Sequence, residues 1–182
     1  HSGNIRVKWK LPGRISFGGR VMKFNAIFFD SDGLLVNTEG LAFDATREVF
    51  ASAGVEMSKE WYVRENLGKG RGSSELAREH GISEDEITEL MRRRIERYRE
   101  ILREGVTPMD GVSEVLEKLH GTLVMGVVTS SSKQSFDIIM EKTGLRKFFS
   151  FFVTRDDVKN LKPDPEPYLK ALAISAQRPE DC

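Results

Sequence analysis

Hydrophobic positions along this chain form short continuous runs separated by longer spaced stripes. Phe24 to Phe29 (FNAIFF) is an apolar run that ends in Asp30. Thr122 to Val128 (TLVMGVV) ends in Thr129-Ser130-Ser131-Ser132, and Phe148 to Val153 (FFSFFV) is a third run. Such runs are too short for helices and read as strands buried on both faces of a parallel sheet. Helical spacing fills the intervals. It brings Leu41, Ala45, Val49, Phe50 and Ala53 onto one face before Gly54. Ser58 can cap a helix to about Asn66, and Ser73 or Ser74 another that ends at Gly81. Ser83 with Glu86 has capping-box spacing and opens a long helix to about Glu104. The stripe of that helix is Ile87, Leu90, Met91, Ile95, Tyr98, Ile101 and Leu102. Further helices are expected over 111–119, from the Ser run to Thr143, and from Lys162-Pro163-Asp164-Pro165 to about Ala176.

Strands alternating with helices imply an α/β chain with a Rossmann-like parallel sheet. The helical block at 38–105 is too long for a simple crossover, and it reads as an all-helical cap inserted into a core of residues 22–37 and 106–182. Residues 1–21 stand apart as an N-terminal extension. They carry bases and no acid, and Met22 directly precedes the first strand-like run, so one reading makes 1–21 non-native. The other reading is a hairpin. Ile5, Val7, Trp9 and Leu11 alternate with Arg6, Lys8 and Lys10, Pro12-Gly13 punctuates, and Ile15 and Phe17 alternate again.

Composition narrows the function classes. At 182 residues the chain is long enough for a real core. It has 28 basic and 28 acidic residues, so no net field points to nucleic acid. No apolar run approaches the roughly 18 residues of a membrane span. A single cysteine, Cys182, excludes a disulfide framework and fits a reducing cytoplasm. The run Arg92-Arg93-Arg94 is offset by neighbouring acids and reads as a solvated face.

The candidate chemistry gathers at strand ends. Asp30 and Asp32 follow the first strand at its carboxyl end, where open α/β sheets place their ligands. A spacing of two in extended chain puts both carboxylates on one side, where they would share a proton or a cation. One carboxylate can attack phosphorus, while the other protonates the leaving group and then activates water. The bland alternative is a pair of turn-capping acids. Ser130, with Ser131 and the amides opening the next helix, can bind phosphate. Ser130 can equally be a helix cap. Lys162 can neutralise the nucleophile and phosphoryl oxygens, or be an ordinary surface lysine. Lys69 and Arg71, in the loop Gly68 to Gly72, can reach a substrate anion or lie solvated.

Three motifs together resemble those of the haloacid dehalogenase superfamily. They are Asp30-Ser31-Asp32-Gly33-Leu34-Leu35-Val36, Val127-Val128-Thr129-Ser130 and Lys162-Pro163-Asp164-Pro165. The block at 38–105 matches the place of the smaller helical cap in the group of β-phosphoglucomutase and phosphoglycolate phosphatase. The resemblance implies Mg²⁺ and transfer of a phosphoryl group from a small phosphorylated metabolite to water. Asp30 would be the nucleophile and Asp32 the general acid/base, with Ser130 and Lys162 on the phosphoryl group. The metal would rest on the Asp30 carboxylate and the Asp32 backbone carbonyl. Asp32 favours phosphate over halide chemistry. Ala42 stands where the mutase branch carries a histidine, which favours a phosphatase over a sugar-phosphate mutase. Asn37 replaces a frequent acid before Thr38-Glu39 and reads as a local structural change.

The superfamily's fourth motif, an acidic pair that completes the metal site, would follow Cys182. The expectation is therefore an incomplete chain, weakly active or inactive, with its first strand at an exposed edge. A non-catalytic phosphate-binding or regulatory protein is the rival of another class. A receiver-type signalling domain is disfavoured by the helical block after the first strand.

Overall fold

Three strands carry the sheet: β3 (Ala26–Phe29), β4 (Val124–Val128) and β5 (Phe151–Val153). A computed structural model describes residues 24–182, and the backbone of residues 15–17 and 20–22. All five residues of β4 are buried, as befits a central strand covered on both faces. The order is β3-β4-β5 and both pairings are parallel, with Phe29 opposite Val127 and Val128 opposite Val153. The parallel α/β architecture expected from the short apolar runs is present. In the described sheet β3 lies at one edge.

A separate two-stranded antiparallel ribbon joins β1 (Ile15–Phe17) to β2 (Arg20–Met22). Ile15 to Phe17, the second arm of the hairpin expected from alternation, pair with Arg20 to Met22. The segment Ile5 to Leu11 lies outside the described residues. The third apolar run is also shorter as a strand than its pattern, because Leu145–Phe148 closes into a 3-10 turn before β5.

The helices are α1 (Glu39–Ala51), α2 (Lys59–Trp61), α3 (Ser73–Glu79), α4 (Glu84–Glu104), α5 (Val112–Leu119), α6 (Lys133–Thr143) and α7 (Glu166–Ser175). The Ser58 hydroxyl caps α2 by accepting the Trp61 N–H at 3.1 Å. Beyond Trp61 the helix widens into a π-helix over Tyr62–Leu67, so its expected extent is right and its geometry is not regular. Neither Ser73 nor Ser74 is the cap of α3; Gly72 holds that position without a side-chain bond. The Ser83 hydroxyl accepts the Glu86 N–H at 3.4 Å at the start of α4.

The chain divides into two compact units. One takes the described residues through Ser31 with Asp110–Lys133 and Leu145–Cys182, and holds the sheet. The other takes Asp32–Met109 with Gln134–Gly144. The division falls between Ser31 and Asp32, and again after Met109. Hydrogen bonds explain this. The Asn37 N–H donates to the Thr107 carbonyl, and the Met109 N–H to the Leu35 carbonyl, so both connecting segments are tied together.

Each unit has its own core. In the first, Ala26, Val124, Val128, Phe151 and Val153 line one sheet face, and Ala171 of α7 packs on them. In the second, Phe43, Val49 and Phe50 of α1 pack with Tyr62, Leu76, Ile87 and Leu90. The basic run on α4 is not uniformly solvated. Arg92 pairs with Glu89, but Arg94 donates to the Thr46 hydroxyl at 2.8 Å and so links α4 to α1. Among the described residues, no helix is long and apolar enough to cross a membrane.

Candidate active site

Asp30 directly follows β3, whose last residue, Phe29, pairs with Val127 of β4. Its Oδ1 accepts the Ser31 N–H at 2.8 Å. Its Oδ2 lies 2.8 Å from the Lys162 ammonium. Lys162 also donates to the Val128 carbonyl at 3.3 Å. The lysine sits just ahead of α7, which packs on β4 and β5, so packing of this unit delivers its charge to the end of the sheet. Its side chain is 20% exposed, against 43% for that of Asp30. Lys162 is therefore a sequestered cation aimed at a more open carboxylate, not a free surface lysine.

Asp32 has different partners. Its Oδ1 accepts the Thr38 hydroxyl at 2.9 Å and the Tyr98 hydroxyl at 3.4 Å. Gly33 makes the turn that brings Thr38 back: its φ of +71° is left-handed, and its N–H donates to the Val36 carbonyl. Thr38 is fully buried. Burial first, and the Asp32 carboxylate second, push the Tyr98 phenol far above its ordinary value, so it is a neutral donor. One acid is balanced by an ammonium and the other by hydroxyls.

Ser130 and Ser131 follow β4 as expected. The Thr129 N–H continues the β5 ladder to Val153, and the Ser131 N–H donates to the Thr129 hydroxyl at 3.1 Å. The carbonyls of Ser130 and Ser131 accept from Arg155. The Lys133 N–H, first in α6, donates to Asp156 at 2.8 Å. Two of the amides expected to cradle phosphate are thus engaged within the chain.

Lys69 and Arg71 are brought together, but around an acid. The buried Glu65 accepts Lys69 at 3.1 Å, and hydrogen bonds from Arg64 and Lys69 hold its carboxyl below the usual range. Arg71 pairs with Glu79, lies 3.6 Å from Glu75, and stacks on Trp61. The loop bases thus have acidic partners within the chain, and the Lys69 side chain is also 64% exposed. Sequence pattern presents Tyr98 as one more apolar stripe position and does not mark Glu65 at all. The one signal for Tyr98 is a polar tip within an otherwise aliphatic stripe.

A profile of the haloacid dehalogenase-like hydrolases matches residues 27–181. The chain belongs to that family. Its relatives include pyrophosphatase PpaX of Bacillus cereus, 29% identical over 161 residues, covering 88% of this chain and 73% of the relative. Among solved structures, CbbY from Rhodobacter sphaeroides in complex with phosphate is 27% identical with a TM-score of 0.71, over 87% of this chain and 75% of that one. A Thermotoga maritima protein classed as a β-phosphoglucomutase is 30% identical with a TM-score of 0.68, over 86% and 73%.

The family resemblance brings Mg²⁺ with it. The Asp30 carboxylate and Asp32 carbonyl are hard oxygen donors of a suitable kind. They are only two, and no group of three or more His, Cys, Asp or Glu among the described residues could hold a metal ion. The described residues do not by themselves make a complete protein-held metal centre.

Proposed function

We propose that this haloacid dehalogenase-like hydrolase is a phosphatase of small phosphorylated metabolites, working in the cytoplasm through an aspartyl-phosphate on Asp30. The observation that carries the reading is the Lys162 ammonium, 2.8 Å from Asp30 Oδ2 at the carboxyl end of a parallel strand. An acid meant only to cap a turn needs no such partner. The ammonium faces the attacking carboxylate and offsets the charge of an incoming phosphoryl group.

In the first half-reaction an Asp30 oxygen bonds to phosphorus and the bond from phosphorus to the leaving oxygen breaks. Asp32, two residues on, gives its proton to that oxygen. In the second, the Asp32 carboxylate takes a proton from water as the water oxygen attacks phosphorus. The Asp30–phosphorus bond breaks, and inorganic phosphate and the Asp30 carboxylate are released. Asp32 ends protonated, as it began. Ser130 and Ser131 are proposed on the phosphoryl group through their side chains, since the Ser131 amide already donates to Thr129. Lys69 and Arg71 would meet a substrate only by exchanging partners with Glu65 and Glu79.

The relatives support this substrate class: one is called a pyrophosphatase, and CbbY was solved with phosphate and also with xylulose-1,5-bisphosphate. A mutase remains second, because position 42 in the first turn of α1 carries only the methyl of Ala42.

The test is release of inorganic phosphate from pyrophosphate and a panel of small phosphate monoesters, with Mg²⁺ supplied. Weak turnover that Asp30→Asn removes is expected; binding of phosphate with no turnover at all would favour the non-catalytic rival. Lys162→Met is expected to lower kcat by about 10²–10³-fold, the usual loss on removing one group that stabilises developing charge. A kcat within about twofold of the parent, a small fraction of that loss, would remove Lys162 from the mechanism.

A further inference from the structure

We propose that Tyr98 is a positioning residue for Asp32, a role that rests on the phosphatase reading and extends it to a residue of the long helix α4. Tyr98 lies 66 positions from Asp32 in sequence, yet its hydroxyl reaches Asp32 Oδ1 at 3.4 Å. Thr38 reaches the same oxygen from the first connecting segment at 2.9 Å. Two donors on one oxygen set the rotation of the carboxyl group, and the proton of its acid form then belongs on Oδ2. A proton donor works only when its proton faces the leaving oxygen, so fixing that rotation is a requirement of the step.

Other features of α4 fit a built contact. Arg94, one turn earlier, is tied to Thr46 of α1 at 2.8 Å, and Ile101 and Leu102, one turn later, are buried. The stretch of α4 that carries Tyr98 is therefore anchored on both sides. Four residues on either side of position 98 are Arg94 and Leu102, so the anchors share its helix face. An aliphatic residue at 98 would fill the stripe equally well; a phenol serves Asp32.

The test is Tyr98→Phe, which keeps the ring and removes the donor. Substrates with poor leaving groups need the proton from Asp32 most, whereas 4-nitrophenyl phosphate leaves readily without it. The expected result is a fall in kcat of about tenfold or more for alkyl phosphates, the size of one lost hydrogen bond to a charged group. The fall is smaller for 4-nitrophenyl phosphate, KM changes little, and the variant adds no further loss in an Asp32→Asn background. A uniform loss across leaving groups, an effect confined to KM, or full additivity with Asp32→Asn would overturn the proposal and leave Tyr98 a packing residue.

A denaturation cycle over the same four proteins gives a readout independent of turnover. Coupling between positions 98 and 32 of at least about twofold in the unfolding constant is expected, and additivity would refute the contact. If the parent chain turns over nothing while that coupling is present, the phosphatase reading fails and the Tyr98–Asp32 contact stands.

Discussion

Asp30→Asn is expected to abolish turnover, by roughly 10⁴-fold or more, the scale on which loss of a covalent nucleophile is felt. The amide is nearly the same size as the carboxylate, so packing at the end of β3 is kept. What disappears is the anion proposed to attack phosphorus, which Lys162 faces at 2.8 Å. The comparison separates chemistry from binding, because an uncharged residue opposite Lys162 repels phosphate less than Asp30 does. Phosphate affinity should therefore be equal or higher in the variant while kcat collapses. Acid quenching of the parent protein during turnover, followed by mass analysis, should find a phosphoryl group on the peptide holding Asp30. Substantial turnover by Asp30→Asn, or the same adduct in the variant, would end the aspartyl-phosphate mechanism.

Gly126→Val destabilises the sheet by about 3 kcal/mol, at the upper end of typical overpacking costs. Glycine in a central strand is ordinarily a weakness, and a β-branched residue an improvement. Here the neighbours reverse that. Gly126 stands in register with Phe28 on one side and Phe151 on the other, so all three share a sheet face. The two rings meet edge to face across it, with centroids 5.5 Å apart at 79°. A Cβ on Gly126 would fall against the Phe151 ring, 2.6 Å from Cε1, where carbon atoms normally stay about 3.5–4.0 Å apart. Phe151 is 9% exposed and cannot swing clear without disturbing Val153 and Ala171. A fall in Tm of roughly 10 °C is expected for a chain of this size. Phe151→Leu should recover part of it by removing the ring. Parent-like stability of Gly126→Val would mean that the rings do not occupy that space.

These two positions differ in how they can be read from sequence. Asp30 announces itself: a short apolar run broken by Asp-Ser-Asp-Gly places an acid at a strand end with no knowledge of the rest. Gly126 looks like a defect within TLVMGVV, and its meaning comes from Phe28 and Phe151, both far from it in the chain. The same contrast runs through the site. Lys162 is legible because Lys-Pro-Asp-Pro opens a helix, but only the packing of α7 on the sheet brings its ammonium to Asp30. Lys69 and Arg71 are legible as bases in a glycine-rich loop. Their pairing with Glu65, Glu75 and Glu79 is not, since a widened helical turn at Tyr62–Leu67 leaves no simple periodic trace.

The sequence by itself determined the strand and helix order, the parallel α/β class, the inserted helical block and the acids at the end of the first strand. Those properties are local: they follow from run length, spacing and turn residues close to each other in the chain. Only the tertiary structure decided that Asp30 is matched by Lys162, that Asp32 is held by Thr38 and Tyr98, and that the helical unit begins at Asp32. Each of these depends on groups from separate segments meeting within hydrogen-bond distance. Such meetings are set by the packing of whole elements, which local pattern does not encode.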